Sequence, residues 1–139
     1  MSEFSPVFLQ LKEQAVVASA HSYAPYSHFP VGASVIGQDG KIYSGCNVEN
    51  ASFGLTQCAE RSALTAAICD GARPGTLQTL VIYTPGDRAH SPCGACRQVM
   101  HELMAEDSWV ISCCDSDDWL QWTPAQYLPD PFVPDALLK

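Results

Sequence analysis

The segments Cys58-Ala59-Glu60 and Pro92-Cys93-Gly94-Ala95-Cys96 bring three cysteines and one glutamate into two short motifs. Three thiolates can hold one zinc ion and leave its fourth position open to water, which is typical of a catalytic rather than a structural zinc site. Zinc lowers the pKa of bound water and makes hydroxide available at neutral pH. Because Glu60 follows the first cysteine by two residues, its carboxylate can carry protons instead of binding the metal. The motifs therefore predict a catalytic zinc site.

A closed, structural zinc site is the alternative, because the chain has seven cysteines. Any one of the other four could supply a fourth thiolate. These four are Cys46, Cys69, Cys113 and Cys114. They fall in or beside predicted core elements, where cysteine usually acts as a small buried apolar residue. We therefore expect an open site with one zinc ion per chain.

Both motifs open predicted helices, one over Cys58 to Cys69 and one from Cys93 to about Ala105. Helix N-termini present unpaired N–H groups and partial positive charge, which favours thiolate over thiol by up to ~1 kcal/mol. Three thiolates on a dication still leave a net negative charge. Arg61 and Arg97 directly follow motif residues, and we expect them to offset that charge by hydrogen bonds.

The remaining pattern alternates strands and helices. Asp39-Gly40 between two apolar runs is typical of a β-hairpin. Helices are predicted over residues 6 to about 21 and from Thr123-Pro124, and strands over 31–36, 41–46, 79–84, 109–114 and 118–122. This order indicates a mixed sheet with helices on its faces. With no repeat or linker, residues 1–139 are predicted to form one domain.

The composition indicates which binding partners and which cellular compartment to expect. The 139 residues are 47% hydrophobic and carry a formal net charge of −8. An acidic chain disfavours nucleic acid and anionic membranes as partners. The sequence shows no membrane-spanning run and no signal peptide. An odd number of cysteines, two of them adjacent, is unlike a secreted disulfide framework, so we predict a cytoplasmic location.

The two motifs, read as Cys58-Ala59-Glu60-Arg61 and Pro92-Cys93-Gly94-Ala95-Cys96-Arg97-Gln98, resemble those of the cytidine deaminases. The resemblance extends to the segments 23–33 and 45–50 and to the ending 127–132, where Tyr127 stands in place of a leucine. Length and three-cysteine ligation are similar to the short, homotetrameric, zinc-dependent branch of that family. The resemblance implies a three-layer α-β-α sandwich around a five-stranded mixed sheet.

The resemblance also implies an activity: hydrolytic deamination of cytidine and 2′-deoxycytidine to uridine and 2′-deoxyuridine with release of ammonia, in pyrimidine salvage. Each role is carried over by position. Cys58, Cys93 and Cys96 would bind zinc, Glu60 would shuttle protons, Asn47 and Glu49 would hold the ribose 3′-hydroxyl, Phe29 would pack on the pyrimidine, and the N–H of Ala59 would contact the base carbonyl. Phe132 would close over the base, in its own site or that of a neighbouring subunit.

The residues alone leave several of these roles open. An amide and a carboxylate can bracket a hydroxyl, but Asn47 and Glu49 also fit a turn with a solvated carboxylate, and Phe29 fits a core position. His21, His28, His90 and His101 match no ligand role. Rival functions are deamination of a nucleoside antibiotic such as blasticidin S, editing of nucleic acid, and a non-catalytic zinc-stabilised binding module.

Overall fold

A five-stranded sheet with strand order β2-β1-β3-β4-β5 forms the centre of the protein, in a computed structural model that describes residues 5–138. Strands β3 and β4 are parallel and all other neighbours are antiparallel. The strands are β1 (Gly32–Gly37), β2 (Ile42–Cys46), β3 (Leu77–Tyr83), β4 (Met104–Cys113) and β5 (Trp119–Trp122). The predicted five-stranded mixed sheet is therefore confirmed.

Helices cover both faces of this sheet, as the three-layer prediction requires. They are α1 (Pro6–Ser19), α2 (Ala59–Cys69), α3 (Gly94–Leu103) and α4 (Pro124–Tyr127), with short 3-10 turns at Phe53–Leu55 and Pro134–Ala136. On one face, Phe8, Leu11 and Ala15 of α1 pack against Val81 and Ile111. On the other, α2 and α3 bury a larger apolar cluster against the sheet. Among the helices of residues 5–138, none has the length and apolarity to cross a bilayer.

Strand register brings three chain segments together where the strands β1, β2 and β3 begin or end. Gly32, the first residue of β1, pairs with Cys46 at the end of β2 and with Tyr83 at the end of β3. The segments entering β1 and leaving β2 and β3 therefore lie side by side. Helix α3 connects the parallel strands β3 and β4, because parallel neighbours need a crossover connection. The candidate site forms where these strand ends meet the first turns of α2 and α3.

Several predicted boundaries were wrong. Helix α3 ends at Leu103, about two residues early, and β4 begins at Met104 rather than at residue 109. Met104 has extended backbone angles and pairs with Leu77 of β3. Its apolar side chain fits a helical pattern equally well, so pairing with a distant strand decided the outcome over local propensity. Helix α1 also ends earlier than predicted, at Ser19.

Candidate active site

The sulfur atoms of Cys58, Cys93 and Cys96 all lie within 4.8 Å of one another. Zn–S bonds of about 2.3 Å in a tetrahedral site require sulfurs roughly 3.8 Å apart, so small adjustments suffice to hold an ion. Cys58 is the N-cap of α2 and Cys93 is the N-cap of α3, where its Sγ accepts a hydrogen bond from the N–H of Cys96 at 3.5 Å. The predicted placement of these two cysteines at helix starts is confirmed. The donor set fits zinc with one position left for water.

Hydrogen bonding stabilises the thiolate of Cys58. A hydrogen bond from Cys96, aided by Arg61, lowers the pKa of the Cys58 thiol to about 5, against the opposing effect of burial. The same contact, together with burial, raises the pKa of Cys96. Nη2 of Arg61 lies 3.2 Å from Sγ of Cys58. Arg61 is thus placed to offset negative charge at the cluster.

Arg97 makes different contacts from those predicted for it. Its Nε donates to the carbonyl oxygen of Pro92 at 2.9 Å, and its Nη1 donates to that of Tyr127 at 3.2 Å. The guanidinium therefore connects the Cys93 loop to α4 and does not point at a sulfur. Both arginines directly follow motif residues, but the direction of each side chain depends on what packs beside its helix.

Glu60 is 6% exposed and lies in the first turn of α2. Burial is the largest effect on its carboxyl and raises its pKa. A carboxyl whose pKa is shifted towards neutrality can both take up and release a proton in one reaction cycle. A hydrogen bond with Cys96 lowers the pKa of Glu60, and the charge of Cys58 raises it. The site thus combines a cysteine cluster that can hold a metal ion with a buried carboxyl whose pKa is raised.

A pocket of about 210 Å³ opens onto these groups. It is lined by Phe29, Val31, Asn47, Thr56, Cys58, Ala59, Glu60, Ile82, Thr84, His90, Ser91, Pro92 and Cys93. Six residues predicted for the site, Phe29, Asn47, Cys58, Ala59, Glu60 and Cys93, therefore come together around one cavity. The ring of Phe29 meets that of His90 edge to face, with centroids 5.7 Å apart.

Asn47 is 9% exposed and holds the entrance segment in place. Its Oδ1 accepts from the N–H of Val31, and its Nδ2 donates to the carbonyl of Phe29, both at 2.9 Å. An amide offers two N–H groups and two lone pairs. One donor and one acceptor position therefore remain for a ligand in the pocket.

Glu49 lies in an adjoining cavity rather than in the pocket itself. This second cavity is lined by Tyr26, Ser27, Glu49, Phe53 and Thr56, and Thr56 borders both cavities. The Glu49 carboxylate accepts from the N–H groups of Tyr26 and Ser27 and from the Ser27 hydroxyl. These hydrogen bonds lower the pKa of Glu49, and the one from the Ser27 hydroxyl has the largest effect. Glu49 thus stays ionised beside the pocket while it supports the loop before Phe29.

Phe132 is not among the residues that line the pocket of its own chain. Its ring is 63% exposed, and its carbonyl accepts from Nε2 of Gln98 at 2.9 Å. This hydrogen bond fixes the tail along α3. The exposed ring is free of the contacts that a core role would require.

Sequence reasoning missed several residues of the pocket, notably Thr84, His90 and Ser91. Ser91 stands one residue before Pro92-Cys93, and its closeness to the motif was an available signal. His90 matched no ligand role, and its place beside Phe29 depends on how the loop folds. Thr84 follows the last residue of β3 and carries no local signal, because only the strand register brings it to the pocket edge.

Comparisons with known proteins agree with this geometry. Residues 9–113 match the family model described as the cytidine and deoxycytidylate deaminase zinc-binding region. The chain belongs to the cytidine and deoxycytidylate deaminase family. It is 40% identical over 120 residues to the cytidine deaminase of Sporosarcina psychrophila, covering 86% of this chain and 87% of that protein. It is also 40% identical over 127 residues to that of Halalkalibacterium halodurans, covering 91% and 95%.

Solved structures of family members share the fold. The 1.6 Å crystal structure of cytidine deaminase from Burkholderia pseudomallei is 44% identical, has a TM-score of 0.85, and covers 89% of this chain and 98% of its own. That from Mycobacterium leprae is 37% identical, with a TM-score of 0.77 and coverage of 91% and 100%. The predicted resemblance and fold are thus confirmed. The matched zinc-binding region and the cysteine cluster likewise confirm zinc as the cofactor.

Proposed function

We propose that this protein catalyses hydrolytic deamination of cytidine and 2′-deoxycytidine, giving uridine and 2′-deoxyuridine with release of ammonia, and that it serves pyrimidine salvage. The observation that carries the proposal is the buried carboxylate of Glu60, which lines the same pocket as the thiolates of Cys58 and Cys93. A structural zinc site has no need of a buried proton carrier facing an open pocket. The names of the family members support the same reaction.

In the proposed reaction, Glu60 moves both protons of the attacking water. When bound to Cys58, Cys93 and Cys96, zinc makes hydroxide available at neutral pH. Glu60 accepts the first proton and delivers it to N3 of the pyrimidine as a C–O bond forms at C4. It then transfers the proton of the new C4 hydroxyl to the amino nitrogen, the C4–N bond breaks, and ammonia leaves a C4 carbonyl. One carboxylate thus acts first as base and then as acid.

The rest of the pocket orients the nucleoside. The N–H of Ala59 contacts the base carbonyl, and Phe29 packs against the pyrimidine ring. Asn47 and Glu49 lie two residues apart in a segment where Val48 pairs with Gln57 and with Tyr23, and side chains two apart in extended chain share one face. We therefore propose that they hold the ribose 3′-hydroxyl across the boundary marked by Thr56. The acidic side chain at this position also disfavours a phosphate there.

The assembly and location are proposed on separate grounds. The tail residues Phe132, Val133, Leu137 and Leu138 are exposed, and an apolar tail of this kind needs a surface to cover. We propose a homotetramer in which Phe132 closes a neighbour's pocket and excludes water from it. The seven free cysteines, three of them at the metal site, favour a reducing cytoplasm. Free nucleosides are the proposed partners, and residues 1–139 are proposed to act as one domain.

The deciding experiment combines zinc stoichiometry with ammonia release from cytidine by the purified full chain. We expect one zinc per chain, with uridine and ammonia formed in equal amounts. Zinc bound in full without any ammonia from cytidine or 2′-deoxycytidine would overturn the proposed activity and favour a binding module. Ammonia from blasticidin S but not from cytidine would identify the antibiotic as the substrate instead.

A further inference from the structure

Thr84 carries a buried hydroxyl for which the fold supplies no partner. The residue is 4% exposed, and its Oγ1 makes no hydrogen bond within residues 5–138. A buried hydroxyl that is left unpaired destabilises the fold, because its desolvation is not compensated. A bound ligand would provide the hydrogen-bond partner that this hydroxyl lacks. Thr84 lines the same pocket as Cys58, Glu60 and Cys93.

Two other polar side chains of the pocket, Asn47 and Thr56, already have partners within the protein. The amide of Asn47 is bonded to Val31 and Phe29, and the hydroxyl of Thr56 accepts from the N–H of Asn50 at 3.3 Å. The backbone of Thr84 is also bonded, because its N–H donates to the carbonyl of Cys113 at 3.2 Å. Within residues 5–138, the Thr84 hydroxyl is the one buried side-chain polar group of the pocket lining that makes no hydrogen bond at all, so it is available to a bound molecule.

Sheet geometry places Thr84 and Asn47 on opposite sides of the start of β1. Gly32 pairs with both Cys46 and Tyr83, so Asn47 and Thr84 flank the β1 entrance on opposite sides. Two strand spacings separate them, about 10 Å, which is similar to the length of a nucleoside. If Asn47 holds the ribose, as proposed above, Thr84 lies beside the base.

We infer that the Thr84 hydroxyl is a further substrate-binding group, which accepts a hydrogen bond from the exocyclic amino group at C4 of the pyrimidine. This inference rests on the proposed function. Among the polar atoms of the base, the carbonyl is assigned to the N–H of Ala59 and N3 to Glu60, which leaves the amino group without a protein acceptor. A hydroxyl accepts from an amino group and can donate to the carbonyl that replaces it in the product.

The test is the nearly isosteric substitution Thr84→Val, with Thr84→Ser as the conservative variant. We expect Thr84→Val to lower kcat/KM for cytidine about threefold to tenfold, the effect of one neutral hydrogen bond, and Thr84→Ser to restore it. Zinc content should not change. The Tm of ligand-free Thr84→Val should equal or exceed that of the wild type, because no hydrogen bond within the fold is lost.

A matched control is Ser108→Ala. Ser108 is fully buried and its Oγ also lacks a partner within residues 5–138, but it is not part of the pocket lining. We expect its kcat/KM to equal that of the wild type. The fold-decrease in kcat/KM caused by Thr84→Val should be the same for cytidine and for 3′-deoxycytidine. The two contacts are distant, and the free energies of distant contacts are additive.

The outcomes separate this inference from the proposed function. An inactive wild-type enzyme would refute the function itself. An active wild type with an unchanged kcat/KM in Thr84→Val would overturn only the role of Thr84. A lower Tm in Thr84→Val with unchanged kcat/KM would show that the hydroxyl is structural, and would overturn the inference in the same way.

Discussion

Gly45 of β2 lies directly against the backbone of Ala63 in α2, so that a Cβ on Gly45 would come within 2.4 Å of the Ala63 nitrogen. The same Cβ would meet the side chain of Ser62 at 2.7 Å. Helix α2 carries Cys58 at its cap and Glu60 in its first turn. The close approach of strand and helix therefore sets the position of the proposed catalytic groups.

We expect Gly45→Ala to lower the free energy of unfolding by about 1 to 3 kcal/mol or more, because helix backbone must move to admit the methyl group. Urea denaturation measures this loss. Gly54→Ala is the matched control, since a Cβ there meets no atom within 4 Å, and its stability should be unchanged or slightly higher. Equal stability of Gly45→Ala and wild type would show that the contact is not tight.

We expect Glu60→Ala to retain zinc while cytidine deamination falls at least ~10² to 10⁴-fold, because a proton carrier is removed and the thiolates remain. Metal analysis and ammonia release measure the two properties. Cys93→Ala should lose both. Glu102→Ala removes an exposed carboxylate on α3 and should change neither. Zinc loss in Glu60→Ala equal to that in Cys93→Ala would make Glu60 a structural residue.

We expect free nucleosides to be better substrates than their 5′-phosphates, and 3′-deoxycytidine to react more slowly than cytidine. The carboxylate of Glu49 repels phosphate, and no lysine lies among residues 42–60 to receive one. Loss of the 3′-hydroxyl leaves a polar contact unmade, at a cost of about 1 to 3 kcal/mol. Steady-state kinetics on the three compounds provides the measurement. Equal kcat/KM for all three would contradict the proposed sugar contacts.

The Tyr83–Asp115 hydrogen bond should make stability depend on alkaline pH. Burial, and then this hydrogen bond, raises the pKa of Tyr83 to about 12. Because the folded-state pKa lies above the unfolded value near 10, the stabilisation is complete below about pH 10 and is lost as the pH rises through about 12. The stability difference between wild type and Tyr83→Phe, followed by urea denaturation, should shrink over this interval.

Comparison with Tyr83→Phe is needed because burial also raises the pKa of the nearby Cys113 to about 12. That contribution is common to both proteins and cancels in the difference. Tyr23→Phe, at an exposed tyrosine, is the control for the loss of a tyrosine hydroxyl as such. A constant difference between wild type and Tyr83→Phe would refute the assignment.

We expect light scattering to show a tetramer, and Phe132→Ala to raise KM or lower kcat without changing zinc content. The exposed ring of Phe132 would close a neighbouring pocket and exclude water from it. Trp119→Ala, at an exposed ring that lines neither the pocket nor the Glu49 cavity, shows whether loss of any surface aromatic has the same effect. A fully active monomer at the assay concentration would refute shared active sites.

The sequence by itself determined the cysteines that cluster as candidate metal ligands and the start of each helix that carries them. Cys58 and Cys93 cap helices in the structure as their positions predicted. These features are local: a cap, a three-residue spacing and an Asp-Gly turn each depend on only a few neighbouring residues. The family's fold then followed from several such local motifs in a fixed order.

Only the tertiary structure decided which side chains meet around those ligands. Arg61 and Arg97 both directly follow motif residues, but Arg61 contacts a sulfur whereas Arg97 contacts two carbonyl oxygens. Glu49 faces an adjoining cavity, and Thr84 reaches the pocket because Tyr83 pairs with Gly32 from a distant segment. Such contacts depend on strand register and on packing between distant segments. The spacing of residues along one segment does not determine either of these.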